Sequence, residues 1–161
     1  MIDTVAPGRP QLAALLADLE QALNRFNALL EEEEQVLTLA RIDALSQLTQ
    51  DKLTASGQLE ARFQAFRAFA EFSGMPLTPP HLLDEALAAY DAEIAAQWQR
   101  IRAQSQAAKV RNASNGRLID TRRNLNDRLI AELAQTRETP QLYGEDGRVR
   151  SLGGGSAFDK A

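Results

Sequence analysis

Leucine recurs at seven-residue intervals through the first forty positions. Leu16, Leu23, Leu30 and Leu37 form one row, Leu12, Leu19 and Phe26 form a second beside it, and Leu15, Leu29 and Val36 widen the stripe. Residues seven apart on an α-helix lie almost above one another, so these rows give one continuous apolar face. Such a face cannot be buried by its own helix, and this suits antiparallel packing against further helices. Pro10 fits the first turn, where its missing N–H would be unpaired anyway. Glu33 continues the Leu12–Leu19–Phe26 row at a point where an apolar residue is expected. The run of glutamates at 31–34 reads as a charged flank near a helix end, not as a catalytic carboxylate pair.

Two further helical runs follow. Asp43 after Arg41-Ile42 offers an N-cap, placing a turn near residues 40–43. Leu45, Leu48, Leu59, Phe63, Phe66 and Phe69 then make a second stripe, closed by Phe72. Lys52 interrupts it, and its stem is expected to lie along apolar surface with the ammonium in water. SGMPLTPPH at 73–81 is the clearest break: Gly74 can cap a helix and three prolines prevent its continuation. Thr78 before Pro79-Pro80 signals the next start. Leu83, Leu87, Tyr90, Ile94, Trp98, Ile101 and Ala108 define a third stripe, which Leu118, Ile119, Leu125, Leu129 and Leu133 resume.

The expected fold is therefore all-α: an elongated antiparallel bundle or coiled coil of three long helices, over about 10–40, 43–73 and 80–137. The third is the longest. At 1.5 Å per residue its ~58 residues would reach ~87 Å, against ~45 Å for each predecessor. Its last ~25 residues must either extend as an arm or fold back at a break near 112–116. A single helical domain over 1–137 is expected, followed by a disordered C-terminal tail over 138–161 that is rich in glycine.

The break region, KVRNASNGRLI at 109–119, gathers weak helix formers. Counting sevens from Leu87 through Ile94, Ile101 and Ala108 arrives at Asn115, and counting from Trp98 through Ser105 arrives at Asn112. Both asparagines thus fall on the apolar seam. A seam asparagine lowers stability but can fix register and partner choice. The alternative is a polar patch or kink where the bundle ends.

Composition narrows the function. The chain has no Cys and one His, which removes disulfides, thiolate sites and multi-His metal centres. His81 follows two prolines at a helix start and reads as a surface or capping residue. Trp98 and Tyr90 read as core. Asn112-Ala113-Ser114 matches a glycosylation acceptor only by chance inside a helix, and Gly153-Gly154-Gly155-Ser156 lacks the lysine and spacing of a phosphate loop. No cofactor and no enzyme activity are expected. No apolar run approaches the ~20 residues of a spanning helix, and MIDTVAPGRPQ lacks the pattern of a secretory signal. A cytoplasmic protein without stable membrane insertion is expected. Residues 1–99 carry 6 basic and 15 acidic side chains, and residues 100–161 carry 12 and 7, which gives −9 and +5 for the net −4. The basic half is interleaved with Asp120, Asp127 and Glu132 and lacks stacking aromatics, so nucleic-acid binding is not expected.

Taken in order, several segments resemble the FlgN family of flagellar type III export chaperones. They are the N-terminal leucine stripe with its acidic segment, the Asp43…Leu45…Leu48…Lys52 segment, the Asn112-x-x-Asn115-Gly116-x-Leu118-Ile119 motif and Tyr143-Gly144-x-x-Gly147. The resemblance implies a non-enzymatic chaperone that binds hook-associated proteins 1 and 3 by their terminal helices, prevents their premature assembly and delivers them to the export apparatus. Family members bind clients through the C-terminal portion. That carries partner binding onto Asn112, Asn115, Leu118, Ile119, Leu125, Leu129 and Leu133, and onto Tyr143. A homodimeric coiled-coil scaffold, using the same seams without clients, is the rival reading.

Overall fold

The computed structural model describes residues 8–138. Among these residues the elements are α1 (Arg9–Thr38), a short 3-10 turn (Ile42–Ala44), α2 (Leu45–Phe72), α3 (Pro80–Tyr90) and α4 (Ala92–Glu138). The chain divides into two compact units, Met1–Ile119 and Asp120–Ala161. The all-α expectation holds, but with four α-helices instead of three. Residues 139–161 of the expected tail, Tyr143 included, lie outside the described residues.

The extra boundary falls at Asp91. Its backbone is extended (φ −164°, ψ 131°), and its Oδ1 accepts hydrogen bonds from the N–H groups of Glu93 (2.9 Å) and Ile94 (3.0 Å). It therefore caps α4, satisfying two donors that the first turn of a helix leaves unpaired. Arg9 of α1 reaches across to Asp91 Oδ2 at 2.6 Å and to Glu93 at 2.5 Å. Periodicity could not locate this break, because Leu87, Ile94 and Ile101 keep their seven-residue spacing across it. Conversely, the break admitted near 112–116 is absent: α4 is helical through Asn115 and Gly116.

The ends of α1 and α2 share one device. Gly74 (φ 69°) follows α2, with its N–H on Glu71 O and the Met75 N–H on Ala70 O. After α1 the same left-handed position is held by Ala40 (φ 57°), with its N–H on Leu37 O and the Arg41 N–H on Val36 O. These paired bonds satisfy carbonyls that helix ends leave open. Asp43 does not cap α2, whose N-cap is Ala44, and Thr78 gives way to Pro79 as the N-cap of α3.

Side-chain pairs fix the helix directions in Met1–Ile119. Lys52 of α2 meets Glu33 of α1, and Arg62 meets Asp18, so partner numbers fall as α2 advances and the two helices are antiparallel. Gln97 of α4 donates to Glu20 of α1, and Asn27 of α1 donates to the Gln104 carbonyl, each pair 77 residues apart. Helix α4 is therefore parallel to α1. The core lies between the helices: Leu12, Leu16, Leu19, Leu23 and Leu30 of α1, Phe66 of α2, Leu83 and Leu87 of α3, and Ile94, Trp98, Ile101 and Ala108 of α4. Phe66 stacks on Trp98 with ring centroids 5.0 Å apart, and Trp98 Nε1 donates to Asp84 at 2.9 Å.

Two predictions follow from the helix ends. A left-handed conformation costs an L-residue with a Cβ about 1 kcal/mol, so Ala40→Gly should raise the unfolding free energy by about that amount. An unchanged denaturation midpoint would show that this end is not held left-handed in solution. The Asp91 carboxyl is held below the ordinary carboxylate range, first by the Arg9 hydrogen bond and then by the Ile94 N–H. A pKa lowered on folding gives stability that is present above the unfolded value, about pH 4, and lost as pH falls through the folded value. Asp91→Asn keeps a capping oxygen, so its stability should fall less steeply than the parent's on acidification below about pH 4. Parallel pH profiles in urea melts would count against this role.

Candidate partner-binding site

Three apolar rows, one on each long helix of the bundle, are broken by a polar residue, and the three breaks meet. Glu33 of α1 is 3% exposed, in contrast to its neighbours Glu31, Glu32 and Glu34. Lys52 of α2 places Nζ 2.8 and 2.9 Å from the two carboxylate oxygens of Glu33. Asn115 of α4 is fully buried, and its Nδ2 donates to Glu33 Oε2 and to the Leu30 carbonyl, both at 2.9 Å. Asn112, exposed one turn earlier, accepts from Lys52 Nζ through Oδ1 at 3.3 Å. Outside the layer, Arg111 pairs with Glu31 at 3.0 Å and Glu34 at 3.4 Å.

This arrangement corrects two expectations. Glu33 is not part of a solvated flank, because its carboxylate is the centre of a buried cluster. Lys52 does not hold its ammonium in water alone, because the charge is spent on Glu33. An isolated buried carboxylate would be strongly disfavoured, and here one cation and one amide satisfy it. The sequence held the signal in three separate places: Glu33, Lys52 and Asn115 each interrupt a seam that is otherwise apolar.

The expected partner-binding residues thus divide. Asn115 and Asn112 join the intramolecular layer. Leu118 and Ile119, at the end of the first unit, are 38% and 40% exposed. In the second unit, Leu125, Leu129 and Leu133 stand four residues apart on one face of α4 and are all exposed, with Ile130 beside them. Large apolar side chains so exposed at helical spacing mark a face suited to another helix. Among the described residues no group of three or more His, Cys, Asp or Glu could hold a metal ion, and no helix is long and apolar enough to cross a membrane.

The family model for FlgN protein matches residues 1–151. The chain belongs to the FlgN family. No curated protein and no solved structure is significantly similar to it. The FlgN family has a general role in flagellar export chaperoning and is not a family of enzymes. In this FlgN-family chain, the polar layer ties α4 to α1 and α2 within a few residues of the first exposed apolar side chains of the Leu118–Ile119 segment.

The layer can be tested directly. Asn115→Asp is nearly isosteric and sets a carboxylate against Glu33 where an amide donated. Stability near neutral pH should fall by about 3–5 kcal/mol, as when a buried ionic cluster loses one partner. The triple variant Glu33→Leu, Lys52→Met, Asn115→Leu should match or exceed the parent. A neutral Asn115→Asp in chemical denaturation would mean the layer is not closed in solution.

Proposed function

We propose that the chain is a cytoplasmic flagellar export chaperone whose clients are hook-associated proteins 1 and 3. In this reading it binds their terminal helices along α4, blocks premature assembly and hands them to the type III export apparatus. A helical chaperone domain spans 1–137 and a tail spans 138–161. No cofactor and no catalytic step are involved. Family membership supports the general role, and the exposed row Leu125, Leu129 and Leu133 is the observation that carries the binding mode.

The residues divide the work. Leu118, Ile119, Leu125, Leu129 and Leu133 supply apolar surface for a client helix, and Tyr143 adds to it from the tail. Asn112 and Asn115 act as positioning residues, holding the start of that surface in register through Lys52 and Glu33. Roughly 500 Å2 of apolar area at ~25 cal/mol per Å2 gives about 12 kcal/mol gross. Association and ordering costs then reduce this to a reversible, micromolar-to-nanomolar complex. Release accordingly requires no chemistry from the chaperone.

Size-exclusion chromatography with hook-associated protein 1 or 3 should show a stoichiometric complex. Leu125→Asp with Leu129→Asp should abolish it while circular dichroism stays strongly helical. Absence of a parental complex at tens of micromolar would end the reading. The rival homodimeric scaffold requires dimers that persist on dilution to nanomolar concentration, and finding them in place of a client complex would favour it.

A further inference from the structure

Asn115 precedes Gly116, and no other asparagine of the chain precedes a glycine. Packing does not require that glycine, because a Cβ at Gly116 would meet no atom within 4 Å. Helix geometry does not require it either, since glycine inside a helix costs about 1 kcal/mol relative to alanine. What the missing side chain leaves unshielded is the Gly116 nitrogen, next to the amide of Asn115. In an unfolded chain such a nitrogen attacks Cγ of the preceding asparagine more readily than one that carries a Cβ beside it. A bond forms between the nitrogen and Cγ, and the Cγ–Nδ2 bond breaks. Nδ2 leaves as ammonia with the proton that the backbone nitrogen gives up. Water then opens the five-membered imide at either carbonyl, giving an aspartyl or an isoaspartyl residue.

The folded chain opposes each part of this reaction. Helix α4 runs through both residues, so the Gly116 N–H is committed to the carbonyl four residues earlier. Asn115 is fully buried, and the leaving group Nδ2 is held by Glu33 and by the Leu30 carbonyl, both at 2.9 Å. Its Oδ1, where negative charge gathers during attack, is buried with no donor from the described residues. The protection nevertheless rests on the layer alone. Asn115 is the last buried residue of α4 among the described residues, and Leu118 and Ile119 beyond it are 38% and 40% exposed. An opening of α4 that exposes Asn115 need break only the polar layer and leaves the core from Leu12 to Ala108 intact.

We propose that Asn115–Gly116 is a site of spontaneous deamidation guarded by the polar layer. The product cannot re-enter the layer. Its carboxylate would face Glu33 with Lys52 as the one ammonium for both, and the Leu30 carbonyl would lose its donor. The isoaspartyl form also adds a methylene to the backbone of α4. Deamidation therefore turns a transient opening of α4 into a permanent one. The proposal uses no client and none of the distal leucines, so it fails separately from the function proposed above.

Trypsin releases residues 112–117 as one peptide, in which tandem mass spectrometry separates Asn115 from Asn112. At mildly alkaline pH in urea, the full chain should deamidate at Asn115 ahead of its other asparagines. In the same buffer without urea the rate at Asn115 should be at least about a hundredfold lower. Lys52→Met, which leaves Glu33 without its cation, should raise that native rate at least about tenfold. Urea below the unfolding transition should raise it in the parent as well, which keeps the test valid if Lys52→Met does not fold. Gly116→Ala should remove the fast reaction in urea while its thermal midpoint matches or exceeds the parent's. After ageing in urea and refolding, the parent should melt lower than the fresh chain, and Gly116→Ala should melt unchanged. Equal rates at Asn115 with and without urea would overturn the proposal. So would a rate at Asn115 no faster than at Asn112 in urea, or a parent deamidated at Asn115 that regains its fresh midpoint.

Discussion

Lys52 and Asn115 come from two different helices and converge on the Glu33 carboxylate of a third, with both Lys52–carboxylate distances under 3 Å. Apolar rows alone leave the register of parallel and antiparallel helices weakly determined, because leucines seven apart can slide by two turns and meet equivalent leucines. A carboxylate that must find both an ammonium and an amide cannot slide. Moving α4 by one turn relative to α1 would remove Asn115 Nδ2 from Glu33 and from the Leu30 carbonyl together. The 77-residue offset of Gln97 from Glu20 and of Gln104 from Asn27 is the same register read further down the bundle.

The layer also explains how the bundle can end without unravelling. Above it, the tip of the α1–α2 hairpin packs Val36, Leu37 and Leu48 as buried residues outside the main cluster. Below it, the continuous core runs from Ala108 to Leu12. Buried ionic groups contribute little net stability against apolar replacements of the same volume, because desolvation offsets their attraction. Their value here is specificity: one arrangement of three helices satisfies all the polar atoms of Glu33, and shifted arrangements strand a charge. At the opposite end Arg9 does the equivalent service, joining the start of α1 to the Asp91 cap of α4.

Much of this was legible in the amino-acid sequence, and what was missed has a common cause. The leucine rows of α1 are buried as their spacing requires, and the Gly74 and proline break falls where turn chemistry put it. The seam count placed Asn115 correctly among core positions. It could not say that Glu33 was its partner, or that Lys52 was the partner of Glu33, since each interruption was read within its own helix and pairing is a tertiary fact. The Asp91 break was invisible for a different reason: a cap changes backbone direction while the seven-residue spacing runs on undisturbed. For the leucines of the distal half of α4, the sequence identified the stripe, and the structure adds that those side chains are exposed.

The shortness of α3 is the remaining consequence of that hidden break. Had the third run been one helix from Pro80 onward, its stripe would have served a single seam. The turn at Asp91 instead reverses the chain after eleven residues, so α3 packs Leu83 and Leu87 beside the first turns of α4 and stops at Pro80. Phe63 of α2 is 39% exposed, and Ser105 of α4 is exposed as well. A cap of one aspartate, held by one arginine from α1, thereby sets both where the core is complete and where apolar side chains are left at the surface.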